Sequence, residues 1–130
     1  MTSVEIPSSV AAALPTLSVF DITNEVSREV RGASVRSGLV YITPSPSAST
    51  SLVRVTERES GFFCDLEDML TRLVPVETAD RERLLVMLLG SRTEQVPFVD
   101  QGLCLGTWQR VLLLCLNGDA RADFSLTILG

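Results

Sequence analysis

Residues 102–118 constrain the fold more than any other stretch of this chain. They read Gly-Leu-Cys-Leu-Gly-Thr-Trp-Gln-Arg-Val-Leu-Leu-Leu-Cys-Leu-Asn-Gly, the most apolar part of the sequence, with its only tryptophan, Trp108. Gly106-Thr107 interrupts a strand-like run, and a glycine inside a strand marks a bulge or a close backbone approach. Residues 111–116 then form a short apolar run ending on Asn117-Gly118, a strong hairpin-turn signal, and 120–129 supply a returning strand. The stretch predicts a buried strand, a bulge bearing Trp108 and Gln109, a second strand and a hairpin. A lone tryptophan is ordinarily core because it buries so much area. Cys104 and Cys115 share that apolar context and read as core too. Gln109 is the odd residue: a buried amide there would need hydrogen-bond partners.

The rest of the chain supplies layers for such a strand. Residues 2–6 read as an edge strand and 17–22 as a second strand. Asp21 or Thr23 can cap the helix that follows, with Ile22, Val26, Val30 and Ala33 on its apolar face. Residues 39–43 are a strand, 43–51 a loop broken by Pro44 and Pro46, and 52–56 an alternating strand. A loop so rich in hydroxyls could hold an anion; the alternative is a plain surface connection. A helix carries Phe62, Phe63, Leu66, Met69, Leu70 and Leu73 on one side and stops at Pro75. A second, over 78–89, is almost wholly apolar in its later half, so it is buried against a sheet or against another chain. Gly90 ends it, and 93–99 is a strand. Two strands, a helix, two strands, two helices and three or four strands make an α+β domain with mostly antiparallel pairing, a single domain over 1–130.

Composition excludes several classes of function. A hydrophobic content of 45% is globular, and a net charge of −5 with a pI near 4.6 speaks against nucleic acid or an anionic membrane as partner. No apolar run is long enough to span a bilayer. Residues 10–14 are apolar, but Glu5 and the lack of a basic residue before them make a poor signal peptide. The chain contains no histidine, and its eleven basic residues are all arginine. A Ser-His-Asp or Cys-His apparatus, a histidine metal site and a lysine Schiff base are therefore out of reach. Three cysteines without a C-x-x-C pair suit reduced thiols and a cytoplasmic protein.

Leu105-Gly106-Thr107-Trp108-Gln109, preceded by Val96-Pro97 and Gly102, resembles the signature of the YjbQ-like family, small proteins named as secondary thiamine-phosphate synthases. Asp21-Ile22-Thr23, Gly38-Leu39-Val40, Glu57 near Gly61 and Asp65, Leu88-Leu89-Gly90 and Asn117-Gly118 fall in the same order, so the resemblance covers 18–130. It implies an α+β, sandwich-like fold of mostly antiparallel sheets with about three helices, and a homotrimer. In the proteins it resembles, a strand-entry loop reads His-Thr-Ser-Ala and leads to an Asn-Glu pair, and a second histidine stands in the helix before the Leu-Gly turn. Counting along this chain puts Ala48 and Arg83 at the two histidine positions and Thr56 at the asparagine. Alanine neither ligates nor titrates, and arginine stays protonated.

What the resemblance carries over is Glu57 and Asp65 as catalytic carboxylates. Ser49, Thr50, Arg83, Trp108, Gln109 and Arg121 carry over as groups for a small phosphorylated or anionic ligand. Glu57 and Asp65 could hold Mg2+ with a ligand phosphate. Their plainer roles are a helix-face acid for Asp65 and an ion partner of Arg54 or Arg58 for Glu57. Two functions follow: a weak transferase of the thiamine-phosphate synthase type, or a catalytically inactive relative that binds a small anion or serves as a structural trimer.

Overall fold

The computed structural model describes residues 2–4, 9–46, 50–117 and 123–130. In chain order the elements are β1 (Thr2–Val4), β2 (Val10–Leu14), β3 (Leu17–Asp21), α1 (Thr23–Gly32), β4 (Gly38–Pro44), β5 (Ser51–Glu57), α2 (Ser60–Leu73), α3 (Arg81–Leu89), β6 (Glu94–Val99), β7 (Gly102–Leu103), β8 (Gln109–Cys115) and β9 (Phe124–Leu129). One sheet has the order β1-β9-β4-β6-β7 and the other β2-β3-β8-β5. Every described ladder is antiparallel.

The apolar run after Trp108 is β8, and both of its faces are covered. Alternate side chains leave a strand on opposite sides. Val111, Leu113 and Cys115 point into the core between the two sheets, among Phe20, Val40, Val53, Phe98, Phe124 and the α1 residues Val26 and Val30. Leu112 and Leu114 point the other way, into a second cluster under α2 and α3 with Leu17, Leu52, Phe63, Leu70 and Leu85. A strand covered on both sides has no solvent face, so its sequence shows no alternation. Phe63 is only 1% exposed, and burying such a side chain contributes about 1.5–3 kcal/mol.

Several local expectations change. Residues 10–14 are a strand: Leu14 pairs with Leu17 across a two-residue turn at Pro15-Thr16. Alanine has little strand preference of its own, so here the pairing with β3 decides. The backbone N–H and hydroxyl of Thr16 both donate to Glu67 Oε2, at 2.7 and 2.9 Å, tying this turn to α2. The buried strand before the bulge shrinks to β7, two residues long. The chain reaches it through Asp100 and Gln101, whose φ values of 49° and 64° make the left-handed pair of a tight hairpin. Cys104 is accordingly exposed, while Cys115 is buried as expected.

The returning strand, β9, does not pair with β8. It lies in the other sheet between β1 and β4, so the chain crosses between sheets after residue 117 instead of folding back as a hairpin. Gly118, half of the Asn-Gly signal, lies outside the described residues. The helix expected from residue 78 starts at Arg81. Arg81 is itself buried, and its Nε donates to the Val74 carbonyl at 2.7 Å, closing the end of α2.

Candidate functional site

β8 begins where the chain passes from one sheet to the other. Leu103 ends β7, and Gln109 opens β8 opposite Glu57, the last residue of β5. The connection between them is a corner closed by its own side chain. Gln109 Oε1 accepts the Gly106 N–H at 2.7 Å, and the Gln109 N–H donates to the Gly106 carbonyl at 3.1 Å. Gln109 thus finds its amide partner locally, on the surface. Trp108 at the tip is 72% exposed, so the lone tryptophan is not core.

Behind the corner lies a buried carboxylate. Asp21 ends β3, is 2% exposed and accepts four hydrogen bonds. Its Oδ1 accepts the Thr23 N–H at 3.1 Å and the Thr23 hydroxyl at 2.7 Å, at the start of α1. Its Oδ2 accepts Arg110 Nε at 2.8 Å and Arg58 Nη1 at 3.2 Å. Burial alone pushes this carboxyl up. The hydrogen bonds from Arg110 and Thr23 and the charge of Arg110 outweigh it, and the net effect holds the group below its ordinary value of 3.8. Arg58 also donates to Ser9 Oγ and to the Val10 carbonyl, so β2, β3 and the end of β5 are clasped together. The Thr23 hydroxyl accepts the Val111 N–H at 2.8 Å, which joins β8 to the same network.

Glu57, Arg58, Thr107, Trp108 and Arg110 line a cleft of about 370 Å³. A neighbouring cleft of about 260 Å³ has Glu57 in common with it and adds Thr56, Glu59, Phe62 and Gln109. A third, of about 250 Å³ and largely apolar, continues from there beneath α2 toward Leu52, Leu89 and Leu114.

Of the residues singled out in the sequence, Glu57, Trp108 and Gln109 are thus brought together. Thr50 stands before the first residue of β5, seven residues from Glu57 and so about 23 Å away along an extended strand. Its carbonyl accepts the Leu116 N–H at 3.0 Å. Asp65 is exposed on α2 and Arg83 exposed on α3, and neither lines the clefts at the corner. Ser49 and Arg121, with Ala48, lie outside the described residues. Glu57 pairs with neither Arg54 nor Arg58: Arg54 donates to the carbonyls of Val53, Leu89 and Ser91. Among the described residues no three acidic or cysteine side chains gather as a metal site. Glu57 lines both clefts at the corner and Asp65 lines neither, so these clefts do not bring the two carboxylates together around one Mg2+ ion.

The sequence reading missed Asp21, Arg58 and Arg110 as one unit. The signal was there in the form of charges placed at the ends of buried strands. Asp21 closes an apolar strand and Arg110 opens one, and register brings two such ends side by side.

The model for the family described as UPF0047 protein YjbQ-like matches residues 13–130 of the chain. The chain belongs to the YjbQ-like UPF0047 family. A UPF0047 protein of Methanothermobacter thermautotrophicus is 30% identical over 122 residues, covering 86% of this chain and 82% of that one. One from Archaeoglobus fulgidus is 34% identical over 109 residues, covering 77% and 82%. The fold is that of solved family structures. An uncharacterised conserved YjbQ/UPF0047 protein of Clostridium acetobutylicum superposes with a TM-score of 0.80 at 19% identity, covering 99% of this chain and all of that one. A conserved hypothetical protein of Thermus thermophilus gives 0.77 at 22% identity, covering 99% and 100%. In this chain the LGTWQ run is the inter-sheet corner, and its tryptophan is presented outward.

Proposed function

We propose that this YjbQ-like protein binds a small carboxylate- or phosphate-bearing ligand at the Trp108 corner and performs no transfer reaction there. One observation carries the reading. Arg110 is anchored through Nε to a buried carboxylate, while its two terminal nitrogens have no partner among the described residues and its side chain lines the cleft beside an exposed indole. A guanidinium fixed in that way has already lost the conformational freedom that anion binding would otherwise cost.

The transferase alternative asks for more positive charge. Release of diphosphate needs several cations at the leaving group. At this corner the guanidiniums of Arg58 and Arg110 stand against the carboxylates of Asp21, Glu57 and Glu59, so there is no excess of positive charge. Arg83 stands apart on α3, and no histidine exists in the chain to move protons. Incubation with the pyrimidine diphosphate, the thiazole phosphate and Mg2+ is therefore expected to yield no thiamine phosphate. Product that disappears on Glu57→Gln would overturn this reading. Binding of benzoate or inorganic phosphate, followed through Trp108 emission and calorimetry and weakened by Arg110→Gln, would support it.

The reading includes self-association, with the homotrimer as the state the resemblance implies. Met69, Leu73, Leu84, Met87 and Leu88 are exposed along α2 and α3, and so large an apolar face marks an interface. No helix among the described residues is long and apolar enough to cross a membrane. We place the protein in the cytoplasm because its sequence has three cysteines and no C-x-x-C pair, a pattern that suits reduced thiols.

A further inference from the structure

We propose that the Trp108 cleft is built for a free α-amino acid, with the carboxylate on Arg110, the ammonium on Glu57 and the side chain against Trp108. The inference rests on the binding reading above and narrows its ligand class. Its basis is what the cleft leaves unspent. Arg110 keeps two terminal nitrogens without a partner among the described residues, in the planar fork that suits a carboxylate. The Glu57 carboxylate is exposed and forms no hydrogen bond or ion pair among the described residues, although two guanidiniums line the same cleft. A guanidinium with two unspent nitrogens and a carboxylate without a partner among the described residues, lining one cleft, are complementary to a molecule that carries both signs. A dianion would face Glu57, and a plain cation would face both arginines. A zwitterion satisfies each in turn.

The remaining surface suits the rest of an amino acid. Trp108 offers an exposed aromatic face for an apolar or aromatic side chain, and Thr107 adds a hydroxyl at the rim. A volume of about 370 Å³ is at the small end of ligand sites and holds one such molecule. The buried Asp21 does not meet the ligand. It is a positioning residue that aims Arg110.

Trp108 is the only tryptophan, so its emission reports this cleft alone. The full chain is titrated with L-phenylalanine, N-acetyl-L-phenylalanine, L-phenylalanine amide and benzoate, with calorimetry in parallel. L-Phenylalanine is expected to bind at least about tenfold more tightly than either blocked analogue, a difference of one order in Kd. Glu57→Gln, which removes a charge with no protein partner among the described residues, is expected to erase the preference over the N-acetyl compound, while benzoate, which carries no ammonium and is no longer repelled, binds at least as tightly as before. Equal binding of L-phenylalanine and its N-acetyl derivative overturns the amino-acid assignment while the carboxylate reading stands. So does a preference that survives Glu57→Gln. Failure of all four compounds and of inorganic phosphate to bind overturns both.

Discussion

Replacing Asp21 with asparagine tests whether the buried carboxylate holds the corner. The substitution keeps the shape and removes the charge. An amide has one oxygen where the carboxylate has two. If that oxygen stays with Thr23, the amide nitrogen confronts the Arg58 and Arg110 guanidiniums, which need an acceptor. Two charge-assisted hydrogen bonds, at 2.8 and 3.2 Å, are lost together. Each such bond contributes about 1.5–3 kcal/mol when its partners are sequestered. Here the arginine side chains are 40% and 37% exposed, so water takes back part of the loss. The expected destabilisation is about 2–3 kcal/mol, below the range of roughly 3–5 kcal/mol for a fully buried pair. With an m value of about 2 kcal/mol per molar urea, the unfolding midpoint should fall by about 1–1.5 M at an unchanged slope. Protein concentration must be held constant, because self-association would add to apparent stability. A midpoint shift under about 0.3 M at the same slope would refute the reasoning, since it would leave well under 1 kcal/mol for the network.

Three further outcomes are expected. Because the folded pKa of Asp21 lies below its ordinary value of 3.8, its contribution is complete above that value and drains away as pH falls through the folded pKa. The stability gap between wild type and Asp21→Asn should therefore narrow below about pH 4 in urea titrations, and a gap constant with pH would contradict the assignment. Met87 and Leu88 are 77% and 61% exposed; changing both to glutamate should yield a monomer by sedimentation velocity, and unchanged sedimentation would mean that the α2–α3 face is not an interface. A Cβ on Gly38 would collide with the Leu129 carbonyl across the β4–β9 ladder, so Gly38→Ala should cost about 1–3 kcal/mol and lower Tm by roughly 4–10 °C in calorimetry.

The layering could be read from the chain because its strongest signals are local. The Ile22, Val26, Val30 spacing gives α1, the Phe63 to Leu70 stripe gives α2, and the unbroken run of β8 announces a strand with no solvent face. What escaped was decided by partners far away in sequence. The alanines of β2 take strand form only because β3 lies beside them. Asn117-Gly118 signals a reversal, but which sheet receives the returning strand depends on where β4 has already been placed. Trp108 fits a core residue by size, and only the short span between two sheets turns it outward. The corner was half legible. Glu57, Trp108 and Gln109 follow from the motif, whereas Asp21 meets Arg110 across 89 positions. Neither residue taken alone carries a pattern that reveals the other.

The strand order of the second sheet has a consequence for how the protein is made. Its central strand, β8, comes late, and its two neighbours, β3 and β5, lie in the first half of the chain without pairing to each other. During synthesis β5, and the edge of β3 that faces away from β2, stay without β8 until residue 115 has left the ribosome. Contacts of such long range make for slow folding, and unpaired apolar edges meanwhile can capture other chains. The nascent protein depends on whatever shields those two edges while the roughly fifty residues between β5 and β8 are added, at about 5–20 residues per second.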